Sequence, residues 1–133
     1  MTTGLLIISH ETIGAALVDT ASVMLEMCPM ALELLPVTPG CTTEPLYHKA
    51  MAAVRRLDRG SGVLVLTDMY GSTPSNVANL LAKEANVMVV AGLNLPMLIR
   101  VFNYPDLALA ELAQKAMSGG RDGIFICERD VMC

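Results

Sequence analysis

The chain has 133 residues, of which 53% are hydrophobic and 17% are charged, and its formal net charge is -4 at pH 7. This length and composition predict one compact domain over residues 1–133, and they exclude a disordered chain and a basic nucleic-acid groove. Every apolar run is far shorter than the roughly 20 residues that a membrane span needs, and no basic leader is present, so we expect a cytoplasmic protein.

An unbroken apolar run at the start of the chain ends at a single histidine. Residues 4–8 have the length and composition of a strand that is buried on both faces of a parallel sheet. Ser9 and His10 follow, and a stripe with helical spacing comes next. The stripe consists of Ile13, Ala16, Leu17, Ala21, Met24 and Cys28. We therefore expect His10 in a turn between a strand and a helix, where open α/β sheets place their functional groups.

Strands and helices alternate along the rest of the chain. Further strands are predicted over residues 31–37, 63–67, 87–91 and 123–127, and Glu33 and Pro36 indicate that the first of these lies at a sheet edge. A helix is predicted between Pro96 and Asn103. For the other helices, the predicted N-caps are Thr43, Thr73 and Asp106, and the predicted ends are Gly60, Asn86 and Gly119-Gly120.

This alternation predicts parallel βαβ units and an α/β fold, a three-layer doubly wound sandwich. All strand-to-helix turns of such a sheet lie at one edge, so four distant residues are expected to converge there. They are His10, Gly40, Asp68 and Asn94. If the first and third strands are neighbours, their ends lie about 5 Å apart, and His10 and Asp68 can touch.

A histidine beside a carboxylate at this edge has the chemistry of a phosphoryl acceptor. Asp68 would accept a hydrogen bond from one ring nitrogen of His10 and leave the other as a nucleophile. The nearby helix N-terminus favours an anion. Candidate phosphate-binding hydroxyls are Ser9, Thr12, Ser72 and Thr73. Since nucleotide-binding loops and magnesium-binding carboxylate clusters are absent from the sequence, the phosphate would come from another protein.

Other readings of these residues are weaker. The four cysteines (Cys28, Cys41, Cys127 and Cys133) have neither zinc spacing nor a disulfide pattern, so we expect reduced thiols, no metal and no cofactor. Ser72 lacks the G-x-S-x-G context of a hydrolase nucleophile. His48, between Tyr47 and Lys49, is expected to face solvent.

Four segments at the ends of the predicted parallel strands carry a family resemblance. They read LLIISH (5–10), PVTPG (36–40), DMYGSTPSN (68–76) and AGLNLPML (91–98). Together they resemble the mannose-family IIA domain of the bacterial sugar phosphotransferase system, over nearly the whole chain. The resemblance implies a phosphotransferase in which His10 receives phosphate from the phosphohistidine carrier protein HPr and passes it to a IIB protein, with Asp68 as the orienting acid.

The resemblance also implies an assembly. The family's sheet has four parallel strands and a fifth, antiparallel strand exchanged between two subunits, so residues 123–127 would complete the sheet of a homodimer partner. Membrane association would be indirect, through the transporter complex, and a fused IIB domain is not expected. Two departures stand out: Gly71-Ser72 replaces paired glycines, and Met69 stands where some relatives have a hydroxyl residue.

Two other roles remain open, and both use the same histidine. One is a regulatory module whose phosphorylation is read by a kinase or a transcription factor. The other is the phosphoryl-donor subunit of a dihydroxyacetone kinase, whose first domain looks similar. The sequence does not identify the sugar.

Overall fold

The protein is built on one sheet of four parallel strands, seen in a computed structural model that describes residues 2–27 and 30–128. The strands are β1 (Gly4–His10), β2 (Leu32–Val37), β3 (Val63–Thr67) and β4 (Val87–Ala91). Their order is β2-β1-β3-β4, so β2 lies at an edge, as Glu33 and Pro36 predicted. β1 and β3 are neighbours, with Ile8 paired to Thr67.

The two central strands carry unbroken apolar runs, residues 5–8 and 63–66, because helices cover both faces of the sheet. Residues 5–8 of β1 and 63–66 of β3 are fully buried. Leu5 and Ile7 point into a core formed with α1 (Ile13–Leu25), α4 (Leu95–Phe102) and α5 (Leu109–Asp122). Leu6 and Ile8 point into a second core formed with α2 (Thr43–Leu57) and α3 (Thr73–Glu84). The predicted three-layer α/β architecture is therefore confirmed.

The helix boundaries differ from the predicted ones by one to three residues. Thr42, Ser72 and Ala108 occupy the N-cap positions of α2, α3 and α5, in place of Thr43, Thr73 and Asp106. The predicted stops at Gly60 and Asn86 are also late, because α2 ends at Leu57 and α3 at Glu84. None of the helices within the described residues is long and apolar enough to cross a membrane.

The prediction that Gly119-Gly120 ends the last helix is wrong. α5 runs through both glycines to Asp122. A Cβ added at Gly119 would lie 2.5 Å from Cβ of Arg100, and one at Gly120 would lie 2.9 Å from Cε of Met97. The two glycines therefore allow α5 to pack closely against α4 and do not act as a stop signal.

The predicted apolar stripe of the first helix is confirmed only in part. Ala21 is buried and Leu17 packs against the core, but Ile13 is 46% exposed and Met24 is 59% exposed. The other buried residues of α1, Gly14 and Val18, were not in the predicted stripe. A Cβ at Gly14 would lie 2.7 Å from Oγ of Ser9. The helix therefore packs against β1 at Gly14 so closely that a side chain there would clash, and Gly14 belongs to the buried face. Cys28 lies outside the described residues.

The predicted fifth strand is not formed within a single chain. Gly123 follows α5, and residues 124–128 adopt neither helix nor strand. Ile124, Phe125 and Ile126 are 75%, 67% and 90% exposed. The exchange of this segment between two subunits stays a prediction.

Candidate functional site

A cavity of ≈ 410 Å³ opens where β1 and β2 end, and His10 lies in its wall. The turn after β1, the loop between β2 and α2 and the first residue of α3 form the wall. Its residues are His10, Glu11, Val37, Thr38, Pro39, Gly40, Cys41 and Thr73. Chain segments that are far apart in sequence thus meet at the carboxyl edge of the sheet, as expected for an open α/β fold.

His10 and Asp68 are in direct contact in this site. Nδ1 of His10 lies 2.9 Å from Oδ2 of Asp68, and the backbone N–H of His10 donates to the same oxygen at 3.0 Å. The other carboxylate oxygen, Oδ1, accepts from the backbone N–H of Met69. An ionised carboxylate only accepts hydrogen bonds, so Nδ1 carries the proton and Nε2 keeps its lone pair. The His10 side chain is 41% exposed and lines the open cavity.

The sheet topology explains how two residues 58 positions apart come together. Since Ile8 pairs with Thr67 in parallel register, His10, the last residue of β1, lies near Asp68, the first residue after β3. The backbone N–H of Glu11 donates to the carbonyl oxygen of Val37 at 2.9 Å, which ties the turn after His10 to β2. The backbone and the carboxylate therefore both fix the imidazole at the sheet edge.

The environment of Asp68 favours its charged form. Burial raises the pKa of this carboxyl group, but the hydrogen bonds from the backbone and the ring of His10, the electrostatic attraction of that ring and the hydrogen bond from the local backbone together lower it by more. The net result is a pKa below the ordinary value for aspartate. Asp68 is thus ionised at neutral pH and available to stabilise positive charge on the ring.

This shift predicts how stability responds to acid. A carboxyl group with a lowered folded-state pKa stabilises the fold fully above its unfolded pKa of about 4, and the contribution is lost as the pH falls through the lower folded value. We expect the urea midpoint of the wild-type protein to exceed that of Asp68→Asn at neutral pH, with a difference that shrinks below about pH 4. The pKa of Glu33 is also lowered, by its hydrogen bond to Arg56. Glu33 is present in both proteins, so its contribution to the pH dependence of stability cancels in the comparison. A difference that stays constant into acid would contradict the assignment.

The four candidate hydroxyls occupy different places. Thr73 lies in the cavity wall. Ser72 is half-buried, and its Oγ donates to the carbonyl oxygen of Met69. Thr12 is exposed at the N-cap position of α1 and is not a wall residue. Ser9 is 2% exposed, and its Oγ accepts from the backbone N–H of Gly14, so this hydroxyl fixes the start of α1 and is not presented to the cavity.

Sequence reasoning missed several wall residues. Thr38 and Cys41 face the cavity from the loop after β2, and Oγ1 of Thr38 lies 3.2 Å from Sγ of Cys41. The hydrogen bond to Thr38 lowers the pKa of the Cys41 thiol. Their position directly after a strand that neighbours β1 is the signal that could have identified them. Gly40 is in the wall as predicted, with a φ of 89° that favours glycine.

Asn94 reaches the same edge of the sheet but is used structurally. Its side-chain oxygen accepts from the backbone N–H of Met97, and its side-chain nitrogen donates to the carbonyl oxygen of Gly120. Asn94 therefore caps α4 and links it to α5. Within residues 2–27 and 30–128, His, Cys, Asp and Glu side chains form no group of three that could hold a metal ion.

Sequence comparisons match the chain to a known family. Residues 4–117 match the EIIA-man family model, described as PTS system fructose IIA component. The chain is 31% identical over 127 residues to the mannose-specific EIIAB component of Escherichia coli K12, an alignment that covers 93% of this chain and 39% of that protein. It is 28% identical over 95 residues to the fructose-specific EIIA component of Bacillus subtilis 168, covering 70% of this chain and 65% of the relative. The chain thus spans about two-fifths of the length of the E. coli relative.

Solved structures agree with this placement. The mannose/sorbose-specific IIA subunit of the phosphotransferase system from Enterococcus faecalis superimposes with a TM-score of 0.87 over 100% of both chains, at 24% identity, which establishes the fold. The PTS IIA protein associated with the fucose utilization operon of Streptococcus pneumoniae gives a TM-score of 0.75 at 27% identity, over 95% of this chain and 96% of that one. The chain belongs to the EIIA-man family of phosphotransferase-system IIA components.

Proposed function

We propose that this chain is a cytoplasmic phosphohistidine carrier of a sugar phosphotransferase system. It accepts a phosphoryl group on Nε2 of His10 from HPr and passes it to a IIB protein for sugar uptake. The observation that carries this proposal is the 2.9 Å contact between Nδ1 of His10 and Asp68, at the wall of an open cavity. Family membership supports the reaction class.

The transfer needs one nucleophile and one orienting acid. The Nε2 lone pair attacks phosphorus on the donor's phosphohistidine, a P–N bond forms as the donor's P–N bond breaks, and the electron pair returns to the donor imidazole. Asp68 holds the Nδ1 proton and stabilises the positive charge that develops on the ring. The same steps in reverse deliver the phosphoryl group to IIB. The group arrives already activated on the donor, so the transfer requires neither a nucleotide nor a metal ion.

The start of α3 supplies the phosphate-binding side of the proposed site. The helix has 12 residues, and Thr73, its first residue, lies in the same cavity wall as His10. The positive end of the helix dipole and the unpaired N–H groups of the first turn favour a phosphoryl dianion. We assign the hydroxyl of Thr73 as a phosphoryl contact, whereas the buried and already bonded hydroxyl of Ser9 is unsuited to that role.

Mapping of the phosphate tests this function directly. The chain is incubated with phosphoenolpyruvate and the general phosphotransfer proteins, and an acid-labile phosphate is expected on the peptide that contains His10. His48, the other histidine, lies on α2 with a 71% exposed side chain and serves as the internal control. Phosphate on His48 alone, or no labelling, would contradict the proposal.

We also propose that the carrier is a homodimer in which each subunit supplies residues 123–127 to the sheet of the other. β4 is an edge strand, and an edge leaves backbone N–H and C=O groups available for another strand. Three consecutive apolar residues, Ile124, Phe125 and Ile126, are exposed and are not paired with a strand of the single chain. A segment of this kind is stabilised by burial against such an edge.

Oligomeric state tests the exchange. We expect the wild-type chain to be a dimer by light scattering and Ile126→Lys to shift it toward monomer, because a lysine at this position would place a charge in the new interface. Val23→Lys is the matched control, since Val23 is 78% exposed on α1, away from β4. A dimer that survives Ile126→Lys but dissociates with Val23→Lys would place the interface elsewhere.

A further inference from the structure

The strand-to-helix connections at the carboxyl edge of the sheet carry one exposed charged side chain. Residues 11–12, 38–42, 68–72 and 92–94 contain Glu11 and Asp68 and neither lysine nor arginine. Asp68 has a side chain that is 10% exposed and hydrogen-bonded to His10. Glu11 is exposed in the cavity wall, and among the described residues its carboxylate has no hydrogen bond or ion pair. A carboxylate without a partner therefore lies in the same cavity wall as the proposed phosphoryl acceptor.

The backbone at Glu11 adopts a conformation that is unusual for a side chain of this kind. Its φ is 45°, in the left-handed region, and within the described residues Glu26, the C-cap of α1, is the other non-glycine with a positive φ. Glycine would occupy position 11 with less strain. The hydrogen bond from Glu11 N–H to Val37 holds this conformation. A carboxylate is thus kept beside His10 in spite of a backbone cost.

The charge of Glu11 acts on whatever enters the cavity. A phosphoryl group carries a charge of about -1.5 to -2 near neutral pH, so a free phosphate compound is repelled. The cavity wall itself contains neither lysine nor arginine. Lys49 on α2 is close enough to the wall residue Cys41 for its charge to lower the pKa of that thiol, and Arg121 lies beside β4, two strands from β1. A protein donor with a basic docking surface is attracted by the same carboxylate. Its own basic side chains can then balance the negative charge of the phosphoryl group.

We propose that Glu11 is a specificity-determining residue, which excludes small anionic phosphoryl donors from His10 and favours a donor protein with a basic docking surface. This inference rests on the proposed function of His10 as phosphoryl acceptor. The inference assigns both effects to one charge. Removal of that charge must therefore raise the rate of His10 phosphorylation by the small donor and lower the rate by the protein donor.

Two donors and three variants test the proposal. Acetyl phosphate is the small donor; its phosphoryl group would pass to Nε2 of His10 with acetate as the leaving group. Phosphorylated HPr is the protein donor. Glu11→Gln removes the charge and keeps the size, Glu11→Gly also relieves the backbone, and Glu84→Gln removes an equal charge at the opposite end of α3. Rates of His10 phosphorylation are measured at low and high salt.

We expect Glu11→Gln and Glu11→Gly to accelerate labelling by acetyl phosphate about three- to tenfold and to slow labelling by HPr by a similar factor at low salt. High salt should shrink both differences, and Glu84→Gln should match the wild type. Rates that fall with both donors would indicate a structural defect and overturn the proposal. The proposal is also overturned if the Glu11 variants react at the wild-type rates. The same holds if acetyl phosphate labels neither the wild type nor the Glu11 variants. If the wild-type chain accepts phosphate from neither donor, the proposed function itself fails.

Discussion

Replacement of His10 by asparagine is expected to abolish phosphorylation of the chain by HPr. The asparagine side-chain nitrogen takes approximately the position of Nδ1, so it can still donate to Asp68 and satisfy the carboxylate that the histidine ring contacts at 2.9 Å. The atom that is lost is Nε2, the proposed nucleophile. Intact-mass measurement after incubation with phosphoenolpyruvate and the general proteins should detect no phosphorylated species.

The control for this variant is His48→Asn. His48 is exposed on α2, 3.9 Å from Glu44, and lies outside the wall of the His10 cavity. We expect full phosphorylation of this control and an unfolding midpoint for both variants close to that of the wild type, since exposed and half-exposed substitutions usually change stability by about 0.5 kcal/mol or less. Retained labelling in His10→Asn together with a native midpoint would remove His10 from the mechanism.

The central part of the fold could be predicted because its physical constraints are local. β1 and β3 are covered on both faces, so their residues must be apolar without alternation, and this pattern is legible in the sequence. The same apolar runs also show that His10 and Asp68 lie at the carboxyl ends of these two strands. The contact between the two side chains depended on a further condition, the adjacency of β1 and β3, which periodicity does not reveal.

Other features depend on packing between distant segments. Gly14 packs closely against Ser9 on the buried face of α1, and Gly119, within α5, packs closely against Arg100. A glycine in the sequence does not say whether it ends a helix or lets two elements approach. Thr38 and Cys41 lie in a loop without periodicity, so their place in the cavity wall was not predicted.

The charge of Asp68 should matter for rate more than for folding. In Asp68→Asn, the side-chain oxygen can still accept from the backbone N–H of His10 or Met69, but the amide nitrogen would donate to Nδ1 and favour the tautomer that protonates Nε2. The nucleophilic lone pair is then lost, and the charge that stabilises the developing imidazolium is lost as well. By analogy with orienting carboxylates in catalytic triads, phosphorylation by HPr should slow about 10²- to 10⁴-fold.

Single-turnover kinetics separate this effect from a docking defect. The rate should fall at saturating HPr, while the HPr concentration that gives half the maximal rate stays unchanged, because the Asp68 side chain is only 10% exposed and is hydrogen-bonded to His10. Asp19→Asn, an exposed carboxylate on α1, is the matched control and should keep the wild-type rate. A rate for Asp68→Asn within about twofold of the wild type would mean that His10 reaches its reactive tautomer without the carboxylate, and the orienting role would have to be withdrawn.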